Sequence, residues 1–279
     1  MRVIDAALVT KTVRDMCIEA NCVLPEDVRR RLNECRVVEP YPVARDVLDR
    51  IIENYAVAEE NRMPVCQDTG MACVFVELGQ EVVVNGGLSD AIHEGVRRGY
   101  TEGYLRASVV ADPLRRVNTG DNTPAMIYYD VVPGDRLTIT VAPKGFGSEN
   151  MSAVKMLKPS DGAEGVKKFV LDAVEAAGPN PCPPVVVGVG IGGTFDRAAL
   201  MAKQALLRPL DSENGDPYYA AMERELLDAV NRLGIGPQGF GGRTTALKVN
   251  IITCPTHIAG LPAAVNINCH VTRHITEVL

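Results

Sequence analysis

The stretch Pro64-Val65-Cys66-Gln67-Asp68-Thr69-Gly70-Met71-Ala72-Cys73 joins a helix-like segment to the apolar run Ala72 to Leu78. It sets a cysteine two residues from an aspartate on a turn, so that a thiolate and a carboxylate can converge on one centre. The plain alternative is a helix-stop turn in which Asp68 caps backbone and Cys66 is a small buried hydrophobe. Either way a helix precedes the turn and a strand follows it.

Backward from the turn, residues 3 to about 61 read as three helices: Ile4 to Ala20, one opened by Pro25 in its first turn, and one opened by Pro42 and running toward Ala58. In the third, Val47, Leu48, Ile51 and Ile52 recur at three-and-four spacing and make one apolar face. Cys17, Cys22 and Cys35 in this region read as packing residues rather than ligands.

Forward, two strands are expected at Ala72 to Leu78 and Glu81 to Val84, then a helix from about Ser89 that carries Arg97, Arg98 and, at its end, Arg106. Arg106 leads into a long polar loop that ends in Asn118-Thr119-Gly120-Asp121-Asn122-Thr123-Pro124, either a flexible connector or an ordered binding element. Ala125 to Val132 and Arg136 to Val141 alternate about Pro133-Gly134-Asp135, which predicts an antiparallel hairpin. Lys144-Gly145-Phe146-Gly147-Ser148-Glu149-Asn150 runs into an expected helix over Met151 to Leu157. Its glycines would offer N–H groups to an anion at a helix start, or simply form a capped loop.

A helix from Ser160 to about Ala177 stops at Gly178, and Pro179-Asn180-Pro181-Cys182-Pro183-Pro184 then holds Cys182 at the entrance of the strand Val185 to Val189. That thiol is either incidental and buried or a positioned ligand. Gly188-Val189-Gly190-Ile191-Gly192-Gly193 matches G-x-G-x-x-G ahead of the helix Phe195 to Leu206, with Asp211 beyond it. This is either a dinucleotide turn or a place where backbone packs closely. The chain continues through a helix from Tyr218 to Leu233, a second glycine-rich stretch, strands at Ala246 to Thr253 and Ala263 to Asn268, and Cys269-His270. With no internal repeat or linker in view, residues 1–279 are expected to form one α/β domain, a mixed β-sheet with flanking helices and a helical N-terminal region.

Composition narrows the function. With 46% hydrophobic residues in 279 the chain can bury a sizeable core, and no apolar run approaches the roughly 20 residues a membrane helix needs. The net charge of −6 is mixed along the chain and there is no Trp, which argues against nucleic acid as a partner. A cytoplasmic location is expected, with the eight cysteines mostly reduced. None of them forms a C-x-x-C pair, so a metal site must be assembled from distant segments.

Taken jointly, Val65-Cys66-Gln67-Asp68-Thr69-Gly70, Asn118 to Ala125, Lys144 to Asn150, Gly188 to Gly193 and His257-Ile258-Ala259-Gly260-Leu261-Pro262 resemble the class I, iron–sulfur fumarases and the related L-tartrate dehydratases. The resemblance covers nearly the whole chain. It implies a 4Fe-4S cluster held by Cys66, Cys182 and Cys269, with one iron open to substrate. It also implies reversible hydration of fumarate to L-malate, as in the tricarboxylic acid cycle, or alternatively dehydration of tartrate to oxaloacetate. By motif, Asp68 lies beside the cluster, Arg106 and His257 face a small dicarboxylate, and the Gly145 to Gly147 backbone contributes N–H donors. Single-chain members continue into a C-terminal swivelling domain that carries the catalytic threonine. This chain stops soon after Cys269 and so resembles an alpha subunit that works with a separate beta subunit in a hetero-oligomer. Two rival functions remain at this level: a nucleotide-dependent oxidoreductase built on Gly188 to Gly193, and a cluster-binding or assembly subunit without catalysis.

Overall fold

Two four-stranded mixed sheets organise a computed structural model that describes residues 1–279. In chain order the elements are β1 (Arg2–Asp5), α1 (Ala6–Cys22), α2 (Glu26–Val38), α3 (Pro42–Asn61), β2 (Met71–Gly79), β3 (Val82–Asn85), α4 (Leu88–Glu102), β4 (Met126–Val132), β5 (Leu137–Lys144) and α5 (Phe146–Glu149). Then follow β6 (Ala153–Leu157), α6 (Gly162–Ala177), β7 (Val185–Gly193), α7 (Phe195–Ala205), α8 (Pro217–Arg232), β8 (Ala246–Thr256), β9 (Leu261–Asn268) and β10 (Ile275–Val278). The α/β class expected from the sequence is what the chain adopts. It divides into two compact units, one of Met1–Pro25, Asn54–Phe146 and Arg273–Leu279, the other of Glu26–Glu53 and Gly147–Thr272.

In the first unit β2 is the pivot, parallel to β4 and antiparallel to β5, with β10 at the far edge of β5. Ala72, Val74 and Val76 on β2 and Leu137, Ile139 and Val141 on β5 bury one face against α1 and α4. Those helices touch closely because α4 is glycine where it meets α1: a Cβ on Gly95 would stand 2.7 Å from Val13 Cβ, and one on Gly99 2.7 Å from Cys17 Cβ. Asp5 caps α1 by accepting the Ala7 N–H at 2.8 Å.

The expected hairpin between residues 125–132 and 136–141 does not form. β2 lies between β4 and β5, and its end feeds the connecting turn: Gly79 N–H donates to Arg136 O, Gln80 N–H to Val132 O and Glu81 N–H to Gly134 O, each at 2.9 Å. Alternation reports which faces are buried, but not which neighbour a strand chooses. Arg106 is also displaced from its expected helix end, because α4 stops at Glu102 and the positive φ of Tyr104 (52°) turns the chain away.

In the second unit β7 is parallel to β8 and antiparallel to β9, and β6 forms the edge beside β9. Val185, Val187, Val189 and Ile191 face α6 and α8, joining Val170, Val174, Leu226 and Val230 in the core. The opposite side of β7 carries Gly188 and Gly190. A Cβ on Gly188 would fall 2.1 Å from Ala202 O, and one on Gly190 2.1 Å from Ala198 O, so α7 lies directly on the strand. The G-x-G-x-x-G match is therefore strand and helix contact rather than a nucleotide turn, and Asp211 is ion-paired with Arg30 at 2.5 Å.

Within Met151 to Leu157, expected as helix, Ala153–Leu157 forms the edge strand β6 instead. Ala, Lys, Met and Leu favour helix locally, and pairing with β9 from Ala153↔Val265 to Leu157↔Leu261 overrides that preference.

Candidate active site

Four backbone carbonyls of the 65–70 turn are held by side chains from elsewhere in the first unit. Asn54 Nδ2 donates to Val65 O (2.9 Å), Arg273 Nη2 to Asp68 O (2.6 Å), and Tyr100 OH to Thr69 O (2.7 Å) and Gly70 O (3.0 Å). Asn122 Nδ2 also donates to Gly70 O at 3.0 Å, while its Oδ1 accepts the Ser108 N–H at 2.7 Å. Tyr100 is buried, and that burial pushes its phenol pKa far up, so the hydroxyl stays a donor. The turn is thus preformed.

Within it, Asp68 N–H points at Cys66 Sγ (3.4 Å), and the Cys66 thiol donates to Gln67 Oε1 (3.3 Å). The Asp68 carboxylate is fixed at both oxygens: Oδ1 accepts Gly70 N–H (3.0 Å) and Oδ2 accepts Phe146 N–H (2.9 Å). Gly70 has φ 75° and lies so close to Lys144 that a Cβ would sit 2.7 Å from its backbone nitrogen. Only glycine fits there.

The polar loop after α4 is ordered. Thr69 Oγ1 donates to Arg106 O (3.0 Å), Asn118 Nδ2 to Ala107 O (3.0 Å), and Val110 bridges Asn118. Burial alone would raise Asp121, but the Thr123 hydroxyl and N–H and the Arg97 guanidinium outweigh it and hold the carboxyl at about 2. The Arg106 side chain is exposed and makes no ion pair, so its guanidinium fork is open to a carboxylate.

The anion seat expected at Gly145 to Gly147 is reduced. The helix that would supply its dipole is the four-residue α5, and the Phe146 N–H is already donated to Asp68. A Cβ on Gly145 would come 3.1 Å from Asp68 Oδ2, whereas one on Gly147 would meet nothing nearer than Asn180 O at 3.8 Å.

In the second unit Cys182 stands exposed at the start of β7 with φ 53°. Its carbonyl accepts the His270 N–H at 3.3 Å and lies 3.0 Å from His270 Nδ1. Gln238 Nε2 donates to Pro183 O at 2.8 Å and reaches His270 Nδ1 at 3.1 Å. Because Asn268 on β9 pairs with Val186, the strand ladder delivers Cys269 to the same end of the sheet as Cys182.

His257 is at the other end. Thr256 pairs with Gly193, so most of β7 separates His257 from Cys182 and Cys269, roughly 25 Å at about 3.3 Å per residue. Its Nδ1 accepts the Ala259 N–H at 3.1 Å, and its ring borders a cavity of about 360 Å³ lined by Val166, Ile191, Tyr218 and Met222.

The donor set suits iron and sulfide, since thiolates are the ligands such clusters take. Within neither unit do three His, Cys, Asp or Glu side chains form a metal-holding group. Cys66 belongs to the first unit, and Cys182 and Cys269 to the second.

A family model described as "Fumarate hydratase (Fumerase)" matches residues 10–278. The chain belongs to this fumarate hydratase family. Among curated relatives of this fumarate hydratase-family chain, a Methanocaldococcus jannaschii protein named "Putative L(+)-tartrate dehydratase subunit alpha" is 44% identical over 95% of this chain and 95% of its own length. Proteins named L(+)-tartrate dehydratase subunit alpha from Escherichia coli strains UTI89 and K12 are 33% and 32% identical, over 96% of this chain and 89% of theirs. As a family member the chain is a hydro-lyase, which removes both the nucleotide-oxidoreductase and the non-catalytic readings. No helix is long and apolar enough to cross a membrane.

Sequence reasoning missed Asn54, Tyr100, Asn122, Gln238, His270 and Arg273. Only Asn122, inside the turn-forming stretch before Pro124, gave a local signal.

Proposed function

We propose that this hydro-lyase is the cluster-bearing alpha subunit of an L(+)-tartrate dehydratase, converting tartrate to oxaloacetate in the cytoplasm with a separate beta subunit. The observation that carries the reading is the 44% identity to the Methanocaldococcus protein, matched end to end and named for that subunit. Fumarate hydration, favoured on motifs alone, becomes the second reading; the family's own description is what supports it.

Loss of water from tartrate leaves an enol that rearranges to the keto acid, so the chain must bind two carboxylates and assist one departing hydroxyl. A 4Fe-4S cluster, held by Cys66, Cys182 and Cys269, supplies Lewis acidity toward that hydroxyl when bound. Arg106 clamps a carboxylate with its open fork. Asp68, pinned at both oxygens, presents a fixed negative edge beside Cys66. Backbone N–H groups at Gly145 and Gly147 complete the anion contacts. His257 serves as a proton or hydrogen-bond donor on the strength of its motif, although its own unit sets it a strand's length from Cys182 and Cys269. The two units act together as one hydro-lyase domain.

The test is the anaerobically reconstituted complex with its beta subunit, assayed on L-tartrate, malate and fumarate. Tartrate turnover well above malate turnover is expected, with roughly a hundredfold loss in Cys66→Ser, Cys182→Ser or Cys269→Ser alongside loss of iron, and a 10- to 100-fold loss of kcat/KM in Arg106→Ala. Preference for malate and fumarate would return the reaction to the fumarase reading. Iron retained by all three serine variants would remove the cluster assignment.

A further inference from the structure

Arg273 is the one buried guanidinium bound to the Cys66–Gly70 turn. It is 4% exposed, it donates from Nη2 to Asp68 O at 2.6 Å, and its Nε has no partner. No carboxylate pairs with it. By contrast Arg208, half-buried in the second unit, is paired with Glu223 at 2.5 Å, so its charge is neutralised. A cation kept out of water without a counter-charge is costly, and such groups mark places where the charge itself is used.

Charged groups lie around it in the first unit, Asp68 near Tyr100 and Glu19 and Arg62 near Cys22, but none forms an ion pair with it. The Tyr100 hydroxyl and the Cys22 thiol both feel its charge, and Tyr100 donates to the next two carbonyls of the same turn. Arg273 thereby fixes the Asp68 peptide from behind while Gly70 and Phe146 N–H groups fix the carboxylate in front.

We propose that Arg273 is a positioning residue: it sets the pose of Asp68 through the Asp68 carbonyl and lends the Cys66 turn an uncompensated positive charge. The first half stands on the geometry alone. The second rests on the cluster reading above, where a fixed cation behind a thiolate ligand favours the more reduced, more negative cluster.

The experiment compares wild type with Arg273→Met, which keeps length without charge, and Arg273→Lys, which keeps charge without the fork. Amide hydrogen exchange on the full-length chain reads the positional half. In Arg273→Met, Gly70 and Phe146 amides should exchange at least tenfold faster while the β2 and β5 amides keep their rates, with Arg273→Lys intermediate. Uniform acceleration, or none, overturns the proposal, because packing alone would spread the loss. On the reconstituted complex, Arg273→Met should lower the cluster midpoint by about 59 mV, a tenfold shift in a one-electron ratio, and reduce kcat with KM nearly unchanged. Arg273→Lys should recover the potential. An unaltered potential with wild-type cluster content overturns the electrostatic half. Wild type that binds no iron is the separate failure of the cluster reading, and the exchange rates still decide the positional half. If Arg273→Met does not fold, Arg273→Lys carries the same comparisons; wild-type exchange and kcat in it would overturn the proposal.

Discussion

The two sheets share one plan and close it with opposite chemistry. In each, a central strand runs parallel to one neighbour and antiparallel to the other, and a fourth strand lies antiparallel at the edge: β10-β5-β2-β4 in one unit, β6-β9-β7-β8 in the other. The helix-facing side of β2 carries Ala72, Val74 and Val76, so helices meet that strand through side chains, and glycine is used where α4 meets α1. On β7 the glycines are in the strand itself and α7 rests on backbone. One topology thus tolerates its tight contact in either layer, provided that some layer gives up its Cβ atoms.

The largest test of that contrast is steric. Gly190→Ala places a methyl 2.1 Å from the Ala198 carbonyl, which belongs to helix backbone and cannot swing away. A loss of about 3 kcal/mol or more is expected. Gly95→Ala meets Val13 Cβ at 2.7 Å, but alanine returns about 1 kcal/mol of helix propensity, so a net loss of about 1 kcal/mol is expected. Urea melts followed by exchange in each unit would rank the two. Equal losses would show that the sheets respond alike.

A smaller contrast lies in how each unit holds a carboxylate. Glu39 in the second unit is wholly buried; burial pushes it up, but the Thr244 hydroxyl and the Arg243, Tyr41 and Thr244 N–H groups carry it below its ordinary value of 4.5. Because the folded value is the lower one, this stabilisation is complete above about pH 4.5 and is lost as pH falls through the folded value. Glu39→Gln should cost about 2 kcal/mol near neutrality and flatten the acid limb for the second unit. Asp121 in the first unit, held at about 2 against an ordinary 3.8, should lose its contribution between those two values. Asp121→Asn should cost only about 1 kcal/mol, since Arg97 is largely solvated. A steeper acid limb in either variant than in wild type would reverse the sign of these assignments.

The α/β class, the Pro42 helix start, the Gly178 stop and most strands were legible, because each leaves a local signature. Strand partners were not. Ala125 to Val132 and Arg136 to Val141 alternate as a hairpin would, yet both choose β2. The shared plan of the two sheets also escaped reading, since the residues that enforce it differ. At the site, the Cys66 turn announced itself. Its supports did not: Asp68 is joined to Arg273 across 205 residues, and no spacing rule spans that distance.

The first unit is made of three chain segments, and its last one, Arg273–Leu279, brings both Arg273 and the edge strand β10, with Leu279 and Leu137 exchanging backbone bonds at 2.8 and 3.1 Å. A ribosome reaches those residues only after it has made all of the second unit. Although it begins at Met1, the first unit is therefore the later of the two to be finished during synthesis. Its Cys66 turn lacks its guanidinium until the final seven residues of that unit leave the exit tunnel.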